Sequence, residues 1–210
     1  LEGAYASHGD TKHVMLFPST PKECFDMTVD AFDLTEQLQT PVILMTDLDL
    51  GMNDHMSKPF QWDDHREYKR GKVLDAEALE DIERFGRYLD VDGDGIAYRT
   101  YPGTHPTKGS YFTRGTSRDE YAVYTENGDV YEKNMDRLIK KWNTAKDYVP
   151  APDLYQDSNT SKYGVLFFGT SQYSTEEAID ILKADGVNLD AIRIKSFPFN
   201  KTVEDFIHSH

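Results

Sequence analysis

Asp90-Val91-Asp92-Gly93-Asp94-Gly95-Ile96 is the stretch whose residue types and spacing most plainly could do chemistry. Aspartates at the first, third and fifth positions, a glycine at the sixth and a backbone carbonyl at the seventh match the front half of an EF-hand loop. Such carboxylates converge on one hard cation, while Gly95 permits the sharp turn and Ile96 offers its carbonyl oxygen. The back half departs from the pattern. Tyr98 stands at the ninth position and Tyr101 at the twelfth, where a bidentate glutamate belongs. The expected metal ligands are therefore Asp90, Asp92, Asp94 and Ile96, with the remaining oxygens from water or another segment. Calcium is expected ahead of magnesium, because the loop lacks octahedral rigidity. The alternative is an Asp/Gly-rich turn whose aspartates cap local amides and hold no metal. With a metal bound, the loop's role would be to pin the crossing segment, with no part in bond-making.

Two further groupings carry reactive types. Ser7-His8-Gly9-Asp10-Thr11-Lys12-His13 gathers histidines, an aspartate and a lysine near a glycine, and reads as a site border or as a surface loop. Gly169-Thr170-Ser171, between a strand and a helix, could cradle an anion or simply turn the chain. The single cysteine, Cys24, falls on an apolar helix arc and reads as core packing, not as a nucleophile. No Walker or dinucleotide glycine pattern, zinc spacing or Ser/His/Asp set is legible.

The elements that must position these residues are α/β in character. Gln39-Thr40-Pro41-Val42-Ile43-Leu44-Met45-Thr46-Asp47 reads as a strand buried on both faces of a parallel sheet, with an acidic exit. It needs more neighbours than the preceding residues supply, so the opening reads as the last part of a larger domain. Val14 to Phe17 is a short strand. Thr20, Pro21 and Glu23 start a helix that runs to Leu38, with a narrow polar strip and a wide apolar arc. Residues 57–72, rich in charge and aromatics, suit an ordered segment packing its rings against a domain. Asp75 caps a helix carrying Leu79, Ile82, Phe85 and Leu89. Short strands are expected around residues 111–113 and 121–124, and a helix over about residues 129–148. Asp153 to Lys162 reads as a linker. A second strand–helix–strand unit follows: Gly164 to Gly169, a helix opened by Ser174 with Glu177, and Ala191 to Ile194. Thr202 caps a last helix.

Composition bounds the functions. The chain has 210 residues, 38% hydrophobic and 12% aromatic, enough for a packed core. A formal net charge of −14 opposes binding to nucleic acid and to anionic membrane surfaces. The apolar runs are too short to span a bilayer. One cysteine excludes an internal disulfide and points to a reducing compartment, the cytoplasm.

At these residues a resemblance enters. The loop from Ser7 to His13, the run from Phe17-Pro18 to Cys24-Phe25, Gln39-Thr40-Pro41-Val42, Asp47 to Asn53 and Arg70-Gly71-Lys72-Val73-Leu74 together resemble the alpha subunit of 2-oxoacid:ferredoxin oxidoreductases, in the 2-oxoglutarate-type branch. Phe85-Gly86-Arg87-Tyr88, Asp90 to Arg99, Tyr111 to Gly115 and Asn134 to Leu138 continue the likeness in order. The resemblance implies an α/β fold: residues 1–56 as the end of a thiamine-diphosphate-fold pyrimidine-binding domain, residues 57–162 as an irregular connecting region, and residues 163–210 as the start of a transketolase-C-like domain. It implies oxidative decarboxylation of 2-oxoglutarate or a related 2-oxoacid with coenzyme A, electrons passing to ferredoxin. The cofactors implied are thiamine diphosphate, Mg²⁺ and iron–sulfur clusters, with calcium at the Asp90 loop as the addition drawn from spacing. The partners implied are a beta subunit and ferredoxin.

The family's Tyr-Pro-Ile-Thr-Pro and Arg…Gly-Pro-Ser-Thr-Gly segments, which meet thiamine diphosphate and the 2-oxoacid, match nothing in these residues. The diphosphate, Mg²⁺ and iron–sulfur ligands belong to the beta subunit. No catalytic residue is therefore expected in this chain, and taken alone it is expected to be inactive. His8, Asp10 and Lys12 follow the substrate-binding segment in family order and are expected near the substrate. A calcium-dependent binding module and a purely structural or interaction domain are the alternatives.

Overall fold

The computed structural model describes residues 1–6, 11–113, 117–156 and 161–210. Two small sheets carry the fold. The first orders β2–β1–β6: β1 (Val14–Leu16) pairs in parallel with β2 (Val42–Leu44) and antiparallel with β6 (Ser196–Phe197). The second orders β3–β5–β4: β5 (Asp190–Ile194) pairs in parallel with β4 (Gly164–Phe168) and antiparallel with β3 (Asp153–Tyr155). β6 returns to the first sheet directly after β5, so the second strand–helix–strand unit is tied to the first through the backbone ladder.

Between β1 and β2 runs α1 (Pro21–Leu38). Its start follows from local chemistry. Thr20 Oγ1 accepts from Glu23 N at 3.1 Å, and Pro21 lacks a donor where none is needed. The reciprocal arm of the expected capping box reaches one residue further: the Glu23 carboxylate accepts from Ser19 N at 2.9 Å. Met27, Leu34 and Leu38 are buried against Val14 and Leu16 of β1. The same cluster takes in Ile96 from the acidic loop, Ala145 at the end of α4 (Gly128–Ala145) and Val149 just beyond it. A second cluster, Ile192, Ile194, Val203 and Phe206, packs β5 against α6 (Lys201–Ser209).

The wide apolar arc of α1 is only partly covered. Phe32 stands 68% exposed, while Phe25 stacks on Phe60 at 5.2 Å and meets Trp62 edge-on. The aromatic segment after residue 57 thus packs on α1, as its composition leads one to expect. It is held there by charge. Arg66 Nη2 donates to Asp30 and Asp33, both at 2.9 Å, and Lys69 N donates to Asp33 at 3.1 Å, which explains a buried aspartate on that helix.

Several expectations are corrected. The strand at residues 42–45, expected to be covered on both faces, is half-buried, and its only pairing among the described residues is with β1. The helix opened by Asp75 ends after five residues as α3 (Ala76–Glu80). Lys108 Nζ donates to the carbonyls of Glu80 and Ile82, so a distant ammonium takes oxygens that a longer helix would use. Residues 111–113 and 121–124 form no strand among the described residues, only the isolated bridge Arg118–Tyr124. The segment read as a linker supplies β3, whose register sets Leu154 against Ile192. The helix α5 (Ser171–Ala184) begins a turn before Ser174, and α6 is capped by Asn200, not Thr202. A short α2 (Leu48–Met52) follows β2, capped by Asp47.

Candidate functional site

The acidic loop does gather a cation, and that cation is a lysine. Lys72 Nζ lies 2.6 Å from Asp92 Oδ2 and 2.7 Å from Asp94 Oδ2. It also donates to the Ile96 carbonyl at 3.1 Å. The third, fifth and seventh positions of the EF-like pattern therefore converge as their spacing leads one to expect, but on an ammonium from the crossing segment. Burial works against the charge on Lys72, yet the hydrogen bonds to Asp92 and Asp94 prevail and raise its pKa. Asp90 turns away. It accepts from Gly93 N at 2.9 Å and lies 3.3 Å from Lys140 Nζ of α4. Asp94 Oδ1 accepts from Ile96 N at 2.9 Å.

Among the described residues no group of three or more His, Cys, Asp or Glu side chains could hold a metal ion. In this structure Asp92, Asp94 and the Ile96 carbonyl, three of the four expected metal ligands, serve Lys72, and Asp90 caps the Gly93 amide. Lys72 supplies the counter-charge the carboxylates require. Lys72 belongs to the crossing segment, so these contacts join that segment to the loop. Gly95 lets the loop approach α4: at φ +80°, a Cβ there would lie 2.3 Å from Lys141 N and 2.6 Å from the Arg137 carbonyl.

The anion cradle is likewise filled from within. Gly169, at φ +58°, turns β4 into α5, and Thr170 Oγ1 donates to Asp47 Oδ2 at 2.6 Å. Asp47 Oδ1 accepts from Leu50 N at 3.0 Å. Thr170 and the α2 amide together hold its carboxyl below the usual carboxylate range. The carboxyl ends of β2 and β4, where open α/β sheets place ligands, are joined here by an internal carboxylate on a glycine turn.

A third internal cluster links the second sheet to α1. Arg193, in the middle of β5 and 3% exposed, donates to Glu23 Oε1 at 2.6 Å and to Asp153 Oδ2 at 2.6 Å. Ser19 Oγ accepts from Arg193 Nη1 at 2.6 Å. Burial alone would raise the Glu23 pKa. The arginine and the Ser19 donors overcome it and lower the carboxyl to about 2. Nearby Cys24 is half-buried, and burial together with Glu23 and Asp47 pushes its thiol up, which suits packing and not nucleophilic attack.

A cavity bordered by Lys12 has no carboxylate in its described lining. It measures about 230 Å³ and lies at the amino ends of β1 and β2, roofed by α4. Val14, Leu38, Pro41 and Leu138 form its apolar wall, with Trp142 as a flat plate and Lys12, His13 and Lys141 as its basic groups. The Lys12 ammonium stands 5.8 Å from the Trp142 ring centre and 5.9 Å from that of Tyr5. Lys141 Nζ donates to the Gln39 carbonyl at 3.2 Å. Burial, then the positive charges of Arg137 and Arg87, lower its pKa to about 8. Of the three residues expected near the substrate, Lys12 borders this cavity, while His8 and Asp10 lie outside the described residues. Sequence reading did not single out Lys72, Arg193 or Lys141. Their neighbours come from remote parts of the chain, and no local spacing marks them.

A family model described as pyruvate flavodoxin/ferredoxin oxidoreductase, thiamine diphosphate-binding, matches residues 3–141. The 2-oxoglutarate synthase subunit KorA of Methanothermobacter marburgensis is 26% identical over 208 residues, covering 96% of this chain and 51% of that protein. Subunit alpha of 2-oxoacid:ferredoxin oxidoreductase 2 from Aeropyrum pernix is 26% identical over 213 residues, covering 99% of this chain and 32% of its own length. The chain thus spans about half, or less, of these curated relatives. A solved structure of the 2-oxoglutarate:ferredoxin oxidoreductase from Magnetococcus marinus, with 2-oxoglutarate, coenzyme A and succinyl-CoA bound, superposes with a TM-score of 0.82 at 22% identity. That likeness covers 99% of this chain and 35% of the solved one, and it establishes the fold. With the family model matched over well more than half of its residues, this chain belongs to the pyruvate flavodoxin/ferredoxin oxidoreductase family, in the thiamine-diphosphate-binding part.

Proposed function

We propose that this chain is part of the alpha subunit of a 2-oxoacid:ferredoxin oxidoreductase. That enzyme would decarboxylate 2-oxoglutarate or a related 2-oxoacid oxidatively, join the acyl group to coenzyme A and pass the electrons to ferredoxin. The carrying observation is that relatives with this activity in their names align over 96% and 99% of the chain. On this reading the partners are a beta subunit and ferredoxin, and the compartment is the cytoplasm, in keeping with a single unpaired cysteine. Residues 1–56 and 163–210 are the pyrimidine-domain end and the transketolase-C-like start, joined by residues 57–162.

The residues present do not fit the diphosphate and metal of thiamine diphosphate. Among those described no acidic group suits Mg²⁺, and the glycine turn at the sheet ends already carries Asp47. The groups that hold the diphosphate and Mg²⁺, and the iron–sulfur clusters, are accordingly assigned to the rest of the complex. This chain's residues orient the sheets: Arg193 locks β5 to α1, Lys72 locks the crossing segment to the acidic loop, and Asp47 locks the two strand ends. The purified parent complex is expected to reduce ferredoxin or a viologen dye only when both a 2-oxoacid and coenzyme A are supplied. Reduction that ignores coenzyme A would remove the assignment.

A further inference from the structure

We propose that the cavity between Lys12, Lys141 and Trp142 binds a small carboxylate carried on a flat apolar body. Charge makes the case first. The chain holds 37 acidic residues against 23 lysines and arginines, yet the described lining of this cavity contains two lysines, a histidine and neither aspartate nor glutamate. Three other charged sites are met by groups of opposite sign or by local donors. Lys72 neutralises the acidic loop, Asp47 takes the glycine turn, and Arg193 is met by Glu23 and Asp153. Among the described residues Lys141 is held by one carbonyl, at 3.2 Å, and Lys12 by the faces of two rings. For Lys141, a partly buried ammonium against an apolar wall with no carboxylate beside it among the described residues is costly, and an anionic ligand removes that cost.

Shape and surface narrow the class. About 230 Å³ falls below the roughly 300–1,000 Å³ of drug-sized sites, so the ligand is small. Val14, Leu38 and Pro41 offer apolar contact, and the Trp142 ring offers a face for stacking. Inorganic phosphate would satisfy the lysines and leave the wall wet. A neutral ring would satisfy the wall and leave the lysines unmet. A ring or flat branched skeleton bearing one carboxylate satisfies both.

The test titrates the full-length subunit in its complex with para-fluorobenzoate, followed by fluorine NMR, beside para-fluorobenzyl alcohol and inorganic phosphate. Saturable binding of the carboxylate is expected, at least about tenfold tighter than the alcohol, and not displaced by equimolar phosphate. Lys141→Met keeps an apolar stem of similar length, and Lys12→Gln alters an exposed side chain whose folding role is slight. Each is expected to weaken the carboxylate at least about tenfold and leave the alcohol unchanged. Should Lys141→Met fail to fold, Lys12→Gln decides. Undiminished binding in the variants, equal binding of the alcohol, or displacement by phosphate would each overturn the proposal.

Discussion

The Glu23–Arg193 pair allows a stability prediction whose size and pH dependence both follow from geometry. Arg193 is 3% exposed at its side chain and Glu23 is 22% exposed, so solvent screens the pair little. Lowering a carboxyl from 4.5 to about 2 corresponds to about 3 kcal/mol of folding stability near neutral pH. Because the folded value is the lower one, that stability is present above about 4.5 and is lost as pH falls towards about 2. By about pH 3 roughly 2 kcal/mol of it is gone. Glu23→Gln keeps the shape and removes the titration, and it sets an amide against a buried guanidinium. Urea unfolding of the full-length subunit should show the variant about 3 kcal/mol less stable near neutral pH, with the gap narrowing to about 1 kcal/mol by about pH 3. Replacing both partners by methionine should recover much of the loss, since Asp153 is exposed enough to return to water. A gap of the same size at both pH values would refute the assignment of the shift to this pair. So would no gap at all near neutrality.

Gly95→Ala forces a Cβ against the α4 backbone at φ +80°, and should cost at least about 2 kcal/mol by chemical denaturation. The wild-type melting midpoint should be the same in calcium and in chelator, because Lys72 already serves Asp92 and Asp94. Lys72→Met should lower that midpoint, and calcium-dependent stabilisation of the wild type would contradict that role. Asn127 caps α4 through the amides of Asp129 and Val130, so Asn127→Ala should destabilise by about 1 kcal/mol in the same assay.

Much of the architecture was legible in the residues because its causes are local. Thr20, Pro21 and Glu23 announce α1 within four positions, and the cap forms with Glu23 N on Thr20 Oγ1. The apolar runs at residues 14–17, 42–45 and 164–168 became strands because β-branched and aromatic clusters satisfy their backbone groups in ladders. The family likeness, spread along the whole chain, was legible for the same reason: it consists of short segments in a fixed order. The acidic loop was half legible. Its spacing correctly gathers Asp92, Asp94 and Ile96 on one cation, but the identity of that cation was not in the loop.

What the tertiary structure alone decided is which charge meets which. Lys72 and Asp94 are 22 residues apart, Thr170 and Asp47 are 123, and Arg193 and Glu23 are 170. No periodicity spans such separations, and an acidic chain offers each cation many candidate partners. The same reasoning explains the shortened α3, whose end carbonyls are taken by Lys108, and the strand made from the expected linker, which forms only because β5 presents an open edge. Helix caps and strand runs minimise energy over a few neighbouring residues. Ion pairs and the lining of the Lys12–Lys141 cavity exist only once packing has brought remote segments together and excluded water from between them.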